Sequence, residues 1–472
     1  MSNAKYLAKN IGLLALSQFG TRLLSFFLVP LYTRILTTEE YGTYDLFNTT
    51  IALFIPFLTL NIKEASLRFA LDQTKERQDI FSISLNYCLR AIICAVALLS
   101  VNSIFGLSPV INDYKWFVLA LFITNILNGV ISNFARGIDY MRDIAISGVL
   151  CTTVIIGLNI VTLLPLHMGL TGYFLANIIG SVAQSIYLFV RFRGWKYMHG
   201  GRPNFALKKE MTDYSKPLIA NGVAWWINSV SDRYIIIWLC GLAENGIYSV
   251  ANKIPTILDV FQGIFSQAWT LSAVRDYQSA DKTIFFTKMF QLYNFGMTCM
   301  CSFLIIFSRV LAGLLYAKEF YTAWRYVPFL MLAVLFGALA GYIGGIFSAA
   351  KASKEFAYST IIGAVLNLVL NLLFVRRIGA LGAAIATAIC YFVIYMIRVI
   401  NVKKFIELAV SWSVIILQYV VLTVQSVLLF MLDESVLFYV LQGILLFFIL
   451  LSSREQILYL KAKIFVNIRK RN

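Results

Sequence analysis

Histidine and clustered cysteine are what this sequence has least of. His167 and His199 are its two histidines, and they stand far apart. Seven cysteines are scattered along the chain; Cys299 and Cys301 form a C-x-C pair in an apolar segment, and no C-x-x-C occurs. The ligand spacing of a zinc or disulfide framework is therefore missing, and the cysteines read as packing residues. No metal and no other cofactor is expected. The G-x-x-x-x-G-K-[ST] loop is missing too, which excludes a P-loop ATPase. There is no H-E-x-x-H, no G-x-S-x-G and no candidate triad. The outward loops are shorter than the large loop that membrane glycan polymerases and ligases use, by fold-level analogy. No enzyme is expected. Charge is scarce as well: 13% of residues are charged and 60% apolar, where a soluble domain carries about 25% charged residues.

What remains is long apolar runs, many exceeding the roughly 18 residues a membrane span needs. They predict an all-α integral membrane protein with about fourteen transmembrane helices. The spans centre roughly on residues 22, 53, 93, 123, 154, 180, 226, 257, 295, 337, 364, 390, 420 and 443. The first segment, Ile11 to about Thr33, is too long for a signal-peptide core, and no A-x-A site follows, so it is expected to stay as span 1.

A net charge of +17 could suggest nucleic acid, but its distribution does not. With Lys5, Lys9 and every even-numbered loop on one side, that side holds 28 cations against seven on the other. The excess marks the cytoplasmic side. Both termini are then cytoplasmic, the helix count is even, and membrane lipids rather than nucleic acid surround the chain.

The sequence also repeats itself. Glu40-Tyr-Gly42-Thr-Tyr44 through Asn48 matches Glu244-Asn-Gly246-Ile-Tyr248 through Asn252 at an offset of 204, which Ser25 and Ser229 share. Gly169, Gly172 and Ala176 match Gly379, Gly382 and Ala386 at an offset of 210. The expected organisation is an N-lobe of six helices (1–191), a basic cytoplasmic linker (192–213) and a C-lobe of six helices (214–401). Two further helices and a basic tail follow (402–472). Two pseudo-symmetric lobes of equal orientation suit a transporter working by alternating access.

Ionisable residues inside spans are expensive, about 2.5–3.5 kcal/mol each at mid-bilayer, and so point to function. Gln18, Arg22 and Ser25 share one face of span 1. Asp45 and Asn48 open span 2. Asn221, Trp225, Asn228 and Asp232 form a stripe on span 7, followed by Arg233. Asn252, Asp259 and Gln262 form a second stripe on span 8, with Lys253 at its edge. These four spans are equivalent in the two repeats, so a polar cavity between the lobes is expected. Arg22 either lines that cavity or pairs with a carboxylate on another helix, such as Asp45. Arg233 either meets substrate or anchors the interface beside Asp232. Lys63 and Arg90 are weaker candidates, able to snorkel to the headgroups. Asn125, Asn128 and Ser132 on span 4, and Asn367 and Asn371 on span 11, are expected to bond between helices.

Several short motifs carry a family resemblance. The run from Lys9 to Gly20, Pro30-Leu-Tyr-Thr-Arg-Ile-Leu36, Glu40-Tyr-Gly-Thr-Tyr44, Ser231-Asp-Arg-Tyr234 and Glu244-Asn-Gly-Ile-Tyr-Ser249 resemble bacterial oligosaccharide flippases of the Wzx type. That family is the polysaccharide-transport branch of the multidrug/oligosaccharidyl-lipid/polysaccharide exporter superfamily. The resemblance implies a V-shaped pair of six-helix lobes with a cationic cavity. It implies export of undecaprenyl-diphosphate-linked glycan units across the bacterial inner membrane for O-antigen or other surface polysaccharide. A polymerase and a chain-length regulator are the partners it suggests. On that basis Arg22 is the leading phosphate contact, with Arg233 and Lys253 behind it. The alternatives are a cation-coupled multidrug exporter, against which span 1 lacks an interior acid, and a membrane glycan polymerase or ligase.

Overall fold

The computed structural model describes residues 26–72, 75–198, 204–277, 279 and 281–459. Every regular element in them is helical. Packing divides the chain into two compact units, one reaching Ile237 and including Gly241–Gly246, the other holding Trp238–Cys240 and everything from Ile247.

The first unit begins with α1 (Val29–Ile35), α2 (Thr38–Leu58) and α3 (Ile62–Ala70). α2 starts sharply because Thr37 and Glu40 form a capping box. The Glu40 amide donates to Thr37 Oγ1 at 3.1 Å and the Thr37 amide to Glu40 Oε2 at 2.8 Å. Thr37→Ala is expected to lose about 1 kcal/mol of stability, a small fall in melting temperature in detergent; no fall would show the cap to be idle. α2 and α3 bend by 62°, where Leu60 and Asn61 take positive φ after Pro56. Next come α4 (Arg77–Phe105), a short α5 (Pro109–Asp113), α6 (Lys115–Gly137), α7 (Met141–Leu163) and α8 (Gly169–Arg191). α6 and α8 are joined as expected: Asn128 Nδ2 donates to Gln184 Oε1 at 3.0 Å and Ser185 Oγ at 3.2 Å. Asn125 instead bonds its own helix at Leu121. A 3₁₀ turn (Gly194–Tyr197) precedes α9 (Phe205–Cys240). The basic linker is thus helical from Phe205. Leu207, Met211 and Ser215 recur every four residues and are buried, while Lys209, Asp213 and Lys216 face out, so the charge-rich segment has an amphipathic face to bury.

The second unit takes the end of α10 (Leu242–Ala251), then α11 (Pro255–Asp276), α12 (Lys282–Ile306), α13 (Ser308–Leu315), a 3₁₀ segment (Lys318–Arg325) and α14 (Val327–Ala349). α15 (Ser353–Ile378), α16 (Ala380–Val402), α17 (Trp412–Met431) and α18 (Val436–Ser452) complete it. α14 is the hub, packed by α11, α12, α15, α16 and α17. Trp269 stacks on Tyr342 with centroids 4.1 Å apart and donates to the Tyr342 carbonyl at 2.9 Å. The repeated small-residue runs do close helices together: a Cβ on Gly172 would meet Thr162 at 2.8 Å, and one on Gly382 the Phe374 backbone at 2.4 Å. Asn367 reaches Thr387 on α16 at 3.5 Å, and Asn371 bonds Asn367. Arg398, expected among the cations of the cytoplasmic loops, is placed differently. It lies inside α16, 5% exposed, donating to Ser359 Oγ at 3.0 Å, the Ala340 carbonyl at 2.8 Å and Thr360 Oγ1 at 3.1 Å. A cation so well supplied with neutral acceptors can stay in the helix bundle.

α17 and α18 are docked by buried amides. Ser302 Oγ on α12 donates to Gln425 Oε1 at 2.8 Å. The Gln425 and Gln442 side chains each donate to the other's backbone carbonyl, at 3.3 and 3.0 Å. Gln425→Leu should orphan the buried Ser302 hydroxyl, remove the side-chain bond to α18 and destabilise by about 1–3 kcal/mol. Thermal unfolding in detergent checks this; a wild-type melting temperature would show the network to be dispensable.

Nine described helices are long and apolar enough to cross a membrane, or ten with α2 and α3 taken as one bent span. Among the other predicted spans, span 1 lies largely outside the described residues, α9 and α11 carry polar stripes, and α18 has 17 residues. The fold is an all-α, multi-pass membrane architecture.

Candidate functional site

The repeated motif builds the site. Gly42, one turn into α2, faces the start of α10. A Cβ on Gly42 would lie 2.0 Å from the Leu242 carbonyl oxygen, and one on Gly246 would lie 1.9 Å from the Thr38 carbonyl oxygen. Thr38 and Leu242 are themselves related by the offset of 204, as are the two glycines. The two contacts therefore exchange under the repeat, and a local pseudo-twofold runs through this crossing. Small residues let membrane helices approach backbone to backbone, and here nothing larger than glycine fits.

Asp45 follows on α2. Its carboxylate accepts from Arg233 Nη1 at 2.5 Å and from Asn245 Nδ2 at 3.1 Å. Asn245 is completely buried and Asp45 is 7% exposed. Three helices, α2, α9 and α10, are thus tied at one carboxylate. Below it the seam between α2 and α9 continues. Trp226 Nε1 donates to the Thr49 carbonyl at 3.0 Å, and the hydroxyls of Thr50 and Tyr234 stand 2.5 Å apart. The charges of Asp45 and Arg233 compensate each other.

The other expected site residues fall as follows. Gln18, Arg22 and Ser25 lie outside the described residues, and so do the side chains of Asn221 and Trp225 on α9. Asn228 is half-buried on α9, and Asp232 is buried, accepting from the Arg233 amide at 2.9 Å. Arg233 forms an ion pair with Asp45 across the helices. Asn48 and Asn252 each donate to their own helix, at the carbonyls of Tyr44 and Tyr248. Lys253, Asp259 and Gln262 are half-buried in the second unit. Lys63 is half-buried, its aliphatic stem beside Gly129. Arg90 is exposed and stacks on Tyr87. Sequence reasoning missed Asn245, Trp226 and Tyr234. Asn245 sat inside the matched repeat, at the position where Tyr41 stands in the first copy; that departure was the available signal.

The chain shares its fold with a lipid II flippase, MurJ, in an inward closed conformation (TM-score 0.69, 15% identity, 95% of this chain and 98% of that one). It also shares it with an inward-facing multidrug resistance MATE family transporter of the MOP superfamily (TM-score 0.67, 14% identity, 83% and 97%). Over residues 7–270 the chain matches the family described as polysaccharide biosynthesis protein, and it belongs to that family. It is 24% identical over 222 residues to the probable low-salt glycan biosynthesis flippase Agl15 of Haloferax volcanii, which is 45% of this chain and 46% of the relative. It is 24% identical over 267 residues to the succinoglycan biosynthesis transport protein ExoT of Rhizobium meliloti, 54% and 51%. The chain spans about half the length of these curated relatives.

Proposed function

We propose that this protein flips undecaprenyl-diphosphate-linked oligosaccharide units from the cytoplasmic to the outer leaflet of the bacterial inner membrane, for O-antigen or a related surface polysaccharide. One observation carries the reading: a family of polysaccharide biosynthesis proteins covers more than half of a chain whose fold is an exporter's. Two partial relatives named for glycan flipping and succinoglycan transport agree with it. In this reading the six-helix lobes 1–191 and 214–401 rock about the linker, and both termini are cytoplasmic. Arg22 is the first phosphate contact. The remaining cavity residues of spans 1, 2, 7 and 8, with Lys253 and more weakly Lys63, hold the glycan and its charge. The Asp45–Arg233–Asn245 cluster acts as a latch, because α2 cannot leave α9 and α10 without breaking it. The membrane potential assists outward movement of the anion by about 2.3 kcal/mol per charge per 100 mV. A polymerase and a chain-length regulator would take the product.

The test is depletion in the native cell, with lipid-linked oligosaccharides extracted and assigned to a leaflet. Complete units should accumulate on the cytoplasmic leaflet, restored by the wild type and not by Arg22→Ala. Accumulation on the outer leaflet would place the defect at a polymerase or ligase, and unchanged lipid pools would favour the drug exporter.

A further inference from the structure

The linker helix and α4 meet at one aromatic ring. The Arg90 guanidinium lies 5.4 Å from the centroid of Tyr87, and the Lys208 ammonium lies 5.9 Å from the same centroid. Tyr87 is buried, so it is a fixed post for cations from two different helices. The acids nearby are already engaged. Glu210 accepts from Lys75 at 2.7 Å, and Asp79 accepts from Asn204 at 2.9 Å. Those two bonds also hold the first turns of α9 against α4. Neither Arg90 nor Lys208 is in an ion pair with a carboxylate among the described residues. Two positive charges therefore meet at one ring, 5.4 and 5.9 Å from its centroid, with no carboxylate partner among the described residues.

Their level along α4 says what could compensate them. Arg77, Gln78 and Asn86 are exposed and polar, whereas Leu89, Ile93 and Val96 are exposed and apolar. Arg90 sits where the exposed face changes from one to the other, the level at which a helix passes from headgroups into hydrocarbon. Trp195, at the start of the linker, is exposed, and tryptophan rings settle at that same level. The groups in abundance there are phosphates.

We propose that Arg90 and Lys208, braced on Tyr87, form a binding site for a lipid-borne phosphate at the lipid-facing edge of the first unit. Arginine supplies a bidentate fork and lysine a point charge, a combination suited to phosphate oxygens. An anionic phospholipid and a polyprenyl diphosphate present the same chemistry. The site goes beyond the proposed flipping activity, and only the second ligand would connect it with that activity.

The test uses the full chain in phosphatidylcholine nanodiscs. Retention of phosphatidylglycerol and of undecaprenyl diphosphate is titrated separately by native mass spectrometry. Arg90→Gln with Lys208→Gln should weaken at least one probe by about tenfold. Lys209→Gln with Lys216→Gln, on the exposed face of the same helix, should change either by much less. Tyr87→Phe keeps the ring and should keep binding. Selective loss of the diphosphate would make the site a cargo-capture point, and equal loss would make it a phospholipid site; either supports it. Unchanged binding of both probes by the Arg90/Lys208 variant, or an equal loss from the control pair, would overturn it. Leaflet assays of flipping are separate, so failure here leaves the transport reading standing.

Discussion

Asp45→Ala is expected to destabilise the protein by about 3–5 kcal/mol, among the largest effects of any single polar substitution. The physical reason is what it leaves behind. The Arg233 guanidinium would lose its counter-charge where water has little access, and Asn245, completely buried, would lose an acceptor. Desolvation of the remaining charge then dominates. The intact pair itself is of modest net value, because its attraction mainly offsets the loss of hydration of both ions. Hence the double variant Asp45→Leu with Arg233→Leu should be more stable than either single alanine variant. A double-mutant cycle of melting temperatures in detergent would read this as a strong coupling, whereas additive losses would show that the pair is not closed in solution. If the cluster is also the latch of the proposed cycle, the double variant should retain folding yet lose flipping in proteoliposomes.

The second large effect is expected at the glycine crossing. Gly42→Val places a Cβ 2.0 Å from a backbone oxygen, and Gly246→Val does the same at 1.9 Å. No side-chain rearrangement relieves a clash with backbone, so the helices must separate. Overpacking of an ordinary core costs about 1–3 kcal/mol, and the crossing should lie at or above the top of that range. Because the two contacts are related by the repeat, either substitution should produce a similar loss. The double variant should lose less than the sum, since the first already opens the crossing. Thermal unfolding of the four proteins is the measurement. A Gly42→Val protein with wild-type stability would refute the close approach.

Much of this protein was legible without coordinates. The scarcity of charge, the apolar runs and the one-sided cations are properties of segments, and each segment's partition into lipid depends on its own composition. The repeat was legible because Glu40, Gly42, Tyr44 and Asn48 recur as Glu244, Gly246, Tyr248 and Asn252. The interhelical role of Asn128 was legible as well, because an amide in a span seeks a partner on another helix. The site was legible only as candidates. Asp45 and Arg233 each stood out as charges in apolar surroundings, yet they were considered with other partners, Arg22 for one and Asp232 for the other.

The sequence by itself determined the class of protein and the family, since these follow from local composition and characteristic motifs. The tertiary structure decided which charges meet. Asp45 and Arg233 are 188 residues apart, and nothing along the chain encodes that distance being closed. It also decided that Gly42 and Gly246 pack against each other's helix, that Arg398 is a buried clamp, and that Lys208 reaches Tyr87. Each depends on which faces of separate helices are brought together. Within a membrane, where apolar faces are nearly interchangeable to lipid, backbone fit and polar pairing make that choice.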